Sequence, residues 1–457
     1  MKISEETKVA YQNTSSNKSL QIYFPDIDFL VEESQVYEDN MQLIEAVIDG
    51  SDIEFVGCIS SVFEIQLNGI KENIKGQRIE VSITADDTEE IPLFHGIVDS
   101  AVRQTNRNYK KITAYDELYT KGNIDVAAWY NSLLFPISLK AFRDLFFAHI
   151  GIEQEEKELP NDSLILNKEF SPTTLQARTV FKSICQINGA FGIINRYGKF
   201  EYRILADVIV EEGAYPGVTL FPLFYPGVAT GSASSEGTTE IRPIGHYRKV
   251  DYEEYSVKPV EKVTIRQSES DAGVSYGDGT NNYIIQGNMF AVNKTEAELL
   301  TIAQNIHSSI AGVQFTPFTS DNSGYPFIEV GVDGVSYMAY DYEASARAGS
   351  DVYTEKVFYV FKRVLTGIQA LNDSYSVQGE EYQREFITDL QTQIETIKNN
   401  LTSEVSNQVS QQIPNYTYTK QQADAKFSTL KVLSVDELPS SPDSNTIYLI
   451  RGEVTVT

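Results

Sequence analysis

Histidine, cysteine and paired carboxylates do much of the chemistry in enzymes, and this chain spaces them widely. Four histidines occur among its 457 residues. None of them stands in the HxxxH or HExxH spacing that places two imidazoles on one helical face for a metal ion. These histidines are His95, His149, His246 and His307.

The two cysteines, Cys58 and Cys185, are too few for a disulfide framework or a zinc site. Cys185 with a distant histidine would make a cysteine-peptidase pair, but nothing around it resembles a nucleophile turn. It lies in TVFKSICQING, an apolar stretch with helical spacing, which predicts a small core residue.

Two acidic pairs, Asp86-Asp87 and Glu89-Glu90, could supply the carboxylates for glycoside cleavage, but such pairs are common on acidic surfaces. The stretch YGDGTNNY lacks the lysine of a phosphate loop, and its Asp278-Gly279 predicts a hairpin turn. Asp271 and Asp278 do not follow an EF-hand pattern. These patterns predict no enzyme, no metal site and no cofactor.

The chain carries 37 Lys and Arg against 64 Asp and Glu, a formal charge of -27, which argues against binding free nucleic acid or an anionic membrane. One basic stretch, RQTNRNYKK at 103–111, lies between β-favouring runs. It predicts a hairpin whose exposed end carries Arg103, Arg107, Lys110 and Lys111. The start, MKISEETK, has no secretory signal, and we expect a soluble chain in the cytoplasm before assembly.

The elements that would position these residues fall into blocks. Residues 20–118 alternate like strands and predict an antiparallel sheet or barrel, after which Asp116 caps a short helix. Ser138 then starts an amphipathic helix that Gly151 ends, with an apolar stripe of Leu139, Phe142, Leu145, Phe146 and Ile150.

A second helix, ended by Gly189, and a hairpin turning at 195–198 complete an α+β insert. Residues 213–245 are rich in Gly and Pro and repeat an aromatic-Pro pair at 215–226, which predicts an ordered arm rather than a flexible linker. Strands resume at 246, with a helix at about 295–310 and more strands to 370.

Residues 384–413 have the spacing of a coiled coil, first by threes and fours and then by fours. Isoleucine at both core positions favours three strands or more. The alternative is a helix packed on its own domain, but the other faces are Gln, Asn, Ser and Thr. The predicted oligomerisation residues are Ile387, Leu390, Ile394, Ile397, Leu401, Val405, Val409 and Ile413.

Several stretches, in order, resemble one family. They are FVGCISSVFEIQL, FHGIVDS with KKITAYDELY, INGAFGIINRYGKFEYR, the aromatic-Pro repeat, DYEEYSVKPVEKVTIRQ, GDGTNNYIIQGN, and QFTPF with GYPFIEVG. Together they are similar to the tail-tip or baseplate hub proteins of phages that infect Gram-positive bacteria, including the N-terminal module of tail-associated lysins. The resemblance covers about residues 1–375.

The resemblance implies a mainly β, α+β fold like the central hub of contractile tails, in which two barrel-like domains per chain form a pseudo-sixfold ring in a trimer. On this basis we expect a first hub domain at 1–118, the insert at 119–212, the arm at 213–245 and a second hub domain at 246–375. The coiled coil at 384–413 and a small tip at 414–457 would follow. The run EVGVDGVSYMAYDYEASARAG departs from the family pattern and predicts a longer loop at 332–350.

No peptidase or lysozyme-like domain follows residue 375, so the lysin activity is not carried over. In the tip, NYTYTKQQADAKF and VDELPSSPDSNTIYLI resemble segments of phage tail-fibre proteins.

We therefore expect a structural virion protein at the tail tip, assembled in the host cytoplasm. The resemblance implies a homotrimer that contacts the tail tube or distal tail protein, the tape measure protein, and a fibre or spike at its C-terminal tip. DNA would be a partner only in passage, and the chain itself would not bind membrane. Two alternatives remain open, a peptidoglycan-degrading tail lysin and a host receptor-binding adhesin.

Overall fold

The computed structural model of the chain describes residues 3–48, 58–204 and 241–379, except 14, 38, 87, 106–107, 269–270 and 312–313. It also describes 431–435, 440–441 and 446–450. The chain divides into two units, Met1–Glu395 and Thr396–Thr457. No helix in the described part of the chain is long and apolar enough to span a membrane.

The first part of the chain is a short helix followed by strands. Its elements are α1 (Glu5–Gln12), β1 (Lys18–Phe24), β2 (Phe29–Leu30), β3 (Gln42–Ala46), β4 (Val62–Asn68), β5 (Arg78–Ala85), β6 (Ile91–Arg103) and β7 (Tyr109–Tyr115). Strand β4 alternates between buried and half-buried residues, with Phe63, Ile65 and Leu67 in the core. The predicted hairpin is confirmed by the antiparallel pairing of β6 with β7, and its tip residues 106–107 lie outside the described part.

One residue of that basic hairpin was wrongly placed. Lys110 is buried, and its Nζ donates to the carbonyl of Glu72 at 2.6 Å. Lys111 points the other way and pairs with Glu64 at 3.0 Å. Successive side chains on a strand face opposite sides, so two adjacent lysines cannot share one exposed surface. The basic run is therefore divided between the two faces of the sheet.

The insert follows β7 and combines helices with short strands. Its elements are α2 (Glu117–Lys121), α3 (Ala127–Ser132), β8 (Ile137–Ser138), α4 (Leu139–Ile150), β9 (Ile165–Leu166), α5 (Ala177–Ile187), β10 (Phe191–Ile194) and β11 (Phe200–Arg203). The predicted bounds of α4 are confirmed, because the Ser138 hydroxyl caps Ala141 N–H and Gly151 ends the helix at φ 71°. Leu145, predicted in the apolar stripe, is exposed, whereas Phe147 is buried.

The third part is mostly strands. Its elements are β12 (Ile241–Pro243), β13 (Tyr247–Tyr252), β14 (Lys262–Arg266), β15 (Val274–Tyr276), β16 (Asn282–Gln286), α6 (Glu296–Ile310), β17 (Phe318–Ser323), β18 (Gly334–Tyr340), α7 (Tyr342–Ala348), β19 (Tyr353–Tyr359), β20 (Lys362–Thr366) and β21 (Asn372–Val377). Helix α6 confirms the predicted helix, and Thr295 and Glu298 cap its start reciprocally.

The largest sheet has eleven strands in the order β13-β17-β21-β20-β3-β4-β7-β6-β5-β1-β2. The fold is thus mainly β with helices, as expected, but its sheets are open. No barrel closes among the described strands, so the two predicted barrels are not seen. Instead, strands from the first and third parts of the chain share one sheet.

The link between the two parts is the antiparallel pairing of β3 with β20, which sets Gln42 opposite Thr366 and Ala46 opposite Lys362. It continues past the strand ends, where Val47 N–H donates to the carbonyl of Phe361 at 2.9 Å. Alternating hydrophobicity shows which face of a strand is buried, but it does not show which distant strand lies beside it. The pairing of β3 with β20 therefore could not be predicted from the periodicity of either strand.

The predicted hairpin turn at Asp278-Gly279 was wrong. Strand β14 pairs antiparallel with β15 on one side and parallel with β16 on the other, so β15 and β16 are not neighbours. The connection passes around the start of β14, where the Glu261 carboxylate accepts from Thr280 N–H at 2.9 Å and Asn281 N–H at 3.2 Å. Residues 277–281 therefore form a crossover connection from β15 to β16, which the Glu261 carboxylate stabilises.

The predicted long loop at 332–350 is ordered. Strands β18 and β19 pair antiparallel from Gly334 opposite Tyr359 to Tyr340 opposite Tyr353, and α7 forms the tip between them. Asp341 caps α7 through Ala344 N–H at 2.8 Å.

In the C-terminal unit, strands β22 (Lys431–Val435) and β23 (Thr446–Ile450) pair in parallel, with Lys431 opposite Thr446. The predicted coiled coil at 384–413, its eight oligomerisation residues and the aromatic-Pro repeat at 215–226 lie outside the described residues.

Candidate functional site

A connecting segment of consecutive turns, residues 325–331, lies where the insert meets the eleven-stranded sheet. Arg196 on the β10–β11 turn donates from Nη1 to the carbonyl of Pro326 at 2.6 Å, and its other terminal nitrogen binds the carbonyl of Ile328. Arg203 at the end of β11 binds the carbonyl of Val330. Two arginines of the insert therefore hold the backbone of a segment from the third part of the chain.

A third arginine reaches the same segment from the sheet. Arg363 on β20 donates to the carbonyl of Ile328 at 2.9 Å and to that of Tyr325 at 3.1 Å. We call residues 325–331 with Arg196, Arg203 and Arg363 the arginine junction. Arginine suits this role because its planar guanidinium presents five donors in a fixed geometry and stays charged.

The charges in the junction are balanced by half-buried carboxylates. Burial opposes ionisation of Glu329, but Arg196 and Arg203 outweigh it and lower its pKa to about 2. Glu45 on β3 lies 3.1 Å from Arg363 and 3.8 Å from Arg196. The junction thus joins β3, β20 and the insert through charge-assisted hydrogen bonds in a setting of low dielectric.

One end of the large sheet is an exposed edge strand. Among the described strands, β13 pairs only with β17. Tyr247, Arg248, Lys249, Asp251 and Tyr252 are exposed along it. An edge strand offers backbone hydrogen bonds to another chain, and charged side chains along it discourage indiscriminate pairing. A partner that pairs here must therefore complement both the charges and the tyrosines.

Beside this edge stands a cluster of exposed tyrosines, three on the β18–α7–β19 hairpin and one at the end of β13. We call Tyr252, Tyr340, Tyr342 and Tyr353 the tyrosine face. Their exposed fractions are 40%, 43%, 82% and 54%. Ring centroids of Tyr340 and Tyr342 are 5.3 Å apart, and those of Tyr340 and Tyr353 are 5.7 Å apart.

An open groove of about 870 Å³ is lined by three of these tyrosines, Tyr252, Tyr340 and Tyr342. Charged side chains line it too, namely Asp341, Glu343, Arg347 and Lys356. Rings that present an apolar body and a polar tip are enriched where proteins bind one another, and arginine is enriched with them. The arrangement is suited to binding a protein surface.

No protein-family model matches the chain, and no curated protein matches it in sequence. Among solved structures it is similar to a tail protein from Neisseria meningitidis MC58, at 12% identity and a TM-score of 0.41, over 81% of this chain and 98% of that one. It is similar to the 43 kDa tail protein of prophage MuSo2 from Shewanella oneidensis, at 10% identity and a TM-score of 0.42, over 79% and 98%.

A third similar structure is prophage tail protein gp18 from Listeria monocytogenes EGD-e, at 10% identity and a TM-score of 0.42, over 83% of this chain and 99% of that one. Each of these three similar structures is a tail protein.

The structure does not bring the four histidines together. His95 lies 3.9 Å from Glu80, His149 stacks on Trp129, and His307 contacts the carbonyl of Glu261 at 2.9 Å. His246 donates its backbone N–H to the Tyr325 hydroxyl at 3.2 Å. In the parts of the chain that the structure describes, no three His, Cys, Asp or Glu side chains are grouped to hold a metal.

Asp86 and Glu89 of the acidic pairs hold backbone groups, whereas Asp87 lies outside the described residues. Glu89 accepts from Ser4 N–H at 2.6 Å and from the Thr7 hydroxyl at 3.0 Å, which fixes α1 to the sheet. Asp86 accepts from Asn17 N–H at 2.8 Å. The Glu90 carboxylate accepts a hydrogen bond from the Ser82 hydroxyl.

Neither the arginine junction nor the tyrosine face was predicted from the sequence. A signal for the first was available, since GYPFIEVG carries one acid among apolar residues and INRYGKFEYR carries two arginines. Their spatial contact depends on long-range packing, which no local pattern reports. The second lies in the run YMAYDYEASARAG, where tyrosine recurs at alternate positions around Asp341.

Proposed function

We propose that this chain is a non-enzymatic structural protein of a phage virion, a trimeric hub that closes the tail tube and connects it to the distal tip or fibres. The sequence resemblance over residues 1–375 supports this assignment. The structural observation that supports it most directly is the single sheet built from both β-rich parts of the chain. A hub that carries load between a tube and a tip needs its two halves joined rigidly, and β3–β20 pairing with the arginine junction meets that need.

Assembly surfaces are the second requirement of a hub. The exposed edge of β13 lies beside the hairpin that carries most of the tyrosine face. The ring centroids of Tyr252 on β13 and Phe358 on β19 are 5.6 Å apart. An edge that pairs and a tyrosine-rich surface beside it are features of protein–protein interfaces. We assign these surfaces to contacts with a neighbouring copy or with the tail protein above it.

Trimerisation rests on the isoleucine-rich seam at 384–413, where Ile387, Leu390, Ile394 and Ile397 would be buried between three helices. The spacing by fours that follows, from Leu401 to Ile413, would locally unwind the supercoil. Three parallel helices would hold the three C-terminal tips side by side.

The net charge of -27 suits a channel through which DNA passes. Phosphates bind to basic surfaces by releasing counterions, and an acidic wall offers no such gain. DNA would therefore move through the hub without being retained. This role makes DNA a transient occupant and not a ligand.

The C-terminal tip would act as an adaptor. Its apolar strand segments KVLSV and TIYLI form β22 and β23, but two five-residue strands make a poor independent core. We assign the tip to docking a fibre or spike through strand pairing at an exposed edge.

The assignment is tested in particles. Phage carrying a disrupted copy of this gene, complemented with the wild-type chain bearing an epitope tag, should show gold-labelled antibody at the distal end of the tail in electron micrographs. Without complementation, complete tails should be missing. Label along the tube or on the head, or normal tails without the chain, would overturn the proposal.

The two alternatives have their own tests on the same purified protein. A clear band on a peptidoglycan zymogram would support the lysin instead of the hub. Retention of the isolated chain by host cell-wall glycan would support the adhesin. The hub proposal expects neither result.

A further inference from the structure

The two cysteines of this chain lie in contact although 127 positions separate them. Cys58 stands in the connection between β3 and β4, and Cys185 lies in α5 of the insert. Their sulfurs are 3.6 Å apart. No sequence pattern pairs them, since one lies in the first β-rich part and the other in a helical stretch.

The fold holds the two sulfurs together through β10. Cys58 forms a parallel bridge with Gly192, and α5 leads into the same strand. A Cβ built on Gly192 would stand 2.7 Å from the sulfur of Cys185 and 2.9 Å from that of Cys58. The absence of a side chain at position 192 therefore leaves the space that both sulfurs occupy.

We propose that Cys58 and Cys185 form an oxidation site at which an intramolecular disulfide covalently links the first β-rich part of the chain to the insert. Disulfide sulfurs lie about 2.05 Å apart, so the pair must approach by about 1.5 Å. Rotation about the side-chain bonds of the two cysteines is the movement that would close this gap. The link would cross the contact between α5, β10 and the first part of the chain.

Exposure decides which sulfur reacts first. Cys58 is partly exposed, whereas Cys185 is buried. Burial, together with the neighbouring Cys58, raises the pKa of the Cys185 thiol. A protonated, inaccessible thiol is a poor nucleophile toward a dissolved oxidant, so the oxidant meets Cys58 first.

The oxidant we name is hydrogen peroxide. The thiolate of Cys58 attacks one peroxide oxygen, the O–O bond breaks, and the departing hydroxide takes a proton to become water, leaving a sulfenic acid. The sulfur of Cys185 then attacks the sulfenic sulfur, the S–O bond breaks, and the hydroxyl leaves as water with the proton of the Cys185 thiol. Two thiols and one peroxide yield one disulfide and two waters.

This chemistry does not depend on the proposed virion role, but that role gives it a use. A chain assembled in the bacterial cytoplasm keeps its thiols reduced, and a particle released from the cell enters an oxidising medium. The hub would fold and assemble with free thiols and acquire the cross-link after release. Because a disulfide limits the unfolded state, it would prolong the life of the free particle.

The test uses the full-length chain, purified with reductant, desalted, and treated with a small molar excess of hydrogen peroxide. Thiols titrated after denaturation should fall from two per chain to none, with a mass loss of two hydrogen atoms and recovery by dithiothreitol. Digestion without reduction should yield one linked peptide containing both cysteines, and the oxidised chain should unfold at higher urea than the reduced one.

Single variants provide matched controls. Cys58→Ser should keep its one thiol at the same dose, because Cys185 is buried, and Cys185→Ser should form a sulfenic acid at Cys58 that dimedone traps. Two thiols remaining in the oxidised wild type would overturn the proposal. Disulfide-linked dimers in the oxidised wild type would also overturn it if they persist in Cys185→Ser, since they would show that Cys58 reacts between chains.

Discussion

The guanidinium of Arg363 binds both carboxylate oxygens of Asp373, at 2.9 Å on each, and neither side chain is exposed to solvent. The two residues lie on neighbouring strands, β20 and β21. Burial raises the pKa of Asp373 although Arg363 acts to lower it. Tyr375 supports the pair by donating its hydroxyl to the same carboxylate at 2.9 Å. The pair anchors the arginine that binds the 325–331 backbone.

Replacing Arg363 with methionine should destabilise the chain strongly. The substitution keeps much of the volume but leaves Asp373 as a buried carboxylate without its partner, which costs about 3–5 kcal/mol in the free energy of unfolding. Urea unfolding followed by tyrosine fluorescence measures the loss. Lys199→Met is the matched control, because Lys199 pairs with Glu153 at the surface, and its urea midpoint should stay near wild type. Equal midpoints for the two variants would show that the Arg363–Asp373 ion pair does not contribute to stability.

The stability of the chain should fall as pH rises from about 4 to about 7, in part because of Asp116. Burial raises its pKa to about 7, although it accepts from Ser61 N–H at 2.6 Å and Leu118 N–H at 3.0 Å. The unfolded chain releases this proton near pH 3.9, whereas the folded chain holds it to about pH 7. Since the folded state binds the extra proton between these values, the contribution to stability is largest at low pH and is lost as pH rises to about 7.

Urea midpoints at about pH 5.5 and about pH 8 measure this effect. Asp116→Asn should narrow the difference between the two midpoints, since the amide does not titrate. Asp125→Asn is the control, because hydrogen bonds from Leu175 and Ala127 lower the pKa of Asp125, which stays ionised at both values. If Asp116→Asn leaves the difference unchanged, Asp116 is not the titrating group.

Removing the tyrosine face should impair assembly and leave folding intact. Tyr342→Ser with Tyr353→Ser takes away two rings that are 82% and 54% exposed, so the urea midpoint should change little. Complementation of the disrupted phage should drop at least about tenfold in titre, since buried interface tyrosines often each contribute more than 1 kcal/mol to binding. Leu134→Ser, at an 87% exposed residue of the insert, should complement fully. Full complementation by the double variant as well would show that this face is not an interface.

Disrupting the isoleucine seam should weaken the trimer. Ile394→Asn with Ile397→Asn would bury unpaired amides, each costing roughly 1–3 kcal/mol per subunit. Light scattering over a dilution series should then show dissociation at concentrations where the wild type remains associated. Replacing two residues off the seam, Asn399→Asp and Asn400→Asp, provides the control. A double Ile variant that stays as tightly associated as wild type would show that another surface holds the assembly.

Deleting residues 415–457 should separate the hub from its distal partner. The shortened chain retains the predicted seam, and we expect it to assemble into tails that lack the fibre or spike. Electron micrographs and the protein composition of purified particles measure the outcome. Particles that keep every tip protein and infect normally would contradict the adaptor role.

Local signals in the sequence were enough for the bounds of helix α4. Ser138 and Gly151 bound α4 because a hydroxyl satisfies free N–H groups at one end and glycine adopts a left-handed conformation at the other. The period of two in VFEIQL likewise identified β4 and its buried face. These features are decided within a few residues of the chain.

Contacts between distant segments were not available from such signals. The β3–β20 pairing, the approach of Cys58 to Cys185 and the capture of carbonyls by Arg196 all join positions more than 100 residues apart. The same limit explains the error at Asp278-Gly279, where a turn sequence served a crossover because β14 occupies the place between β15 and β16. Exposure of Leu145 was missed because the actual buried face of α4 turns toward Phe147.

The mass of the full-length chain in solution tests the central claim most directly. Light scattering coupled to size-exclusion chromatography should give a particle of three 51.2-kDa chains, stable on dilution. Averaged electron micrographs of the same fraction should show threefold symmetry around a central channel. A particle of one chain at every concentration tested, or an assembly without threefold symmetry, would contradict the trimeric hub.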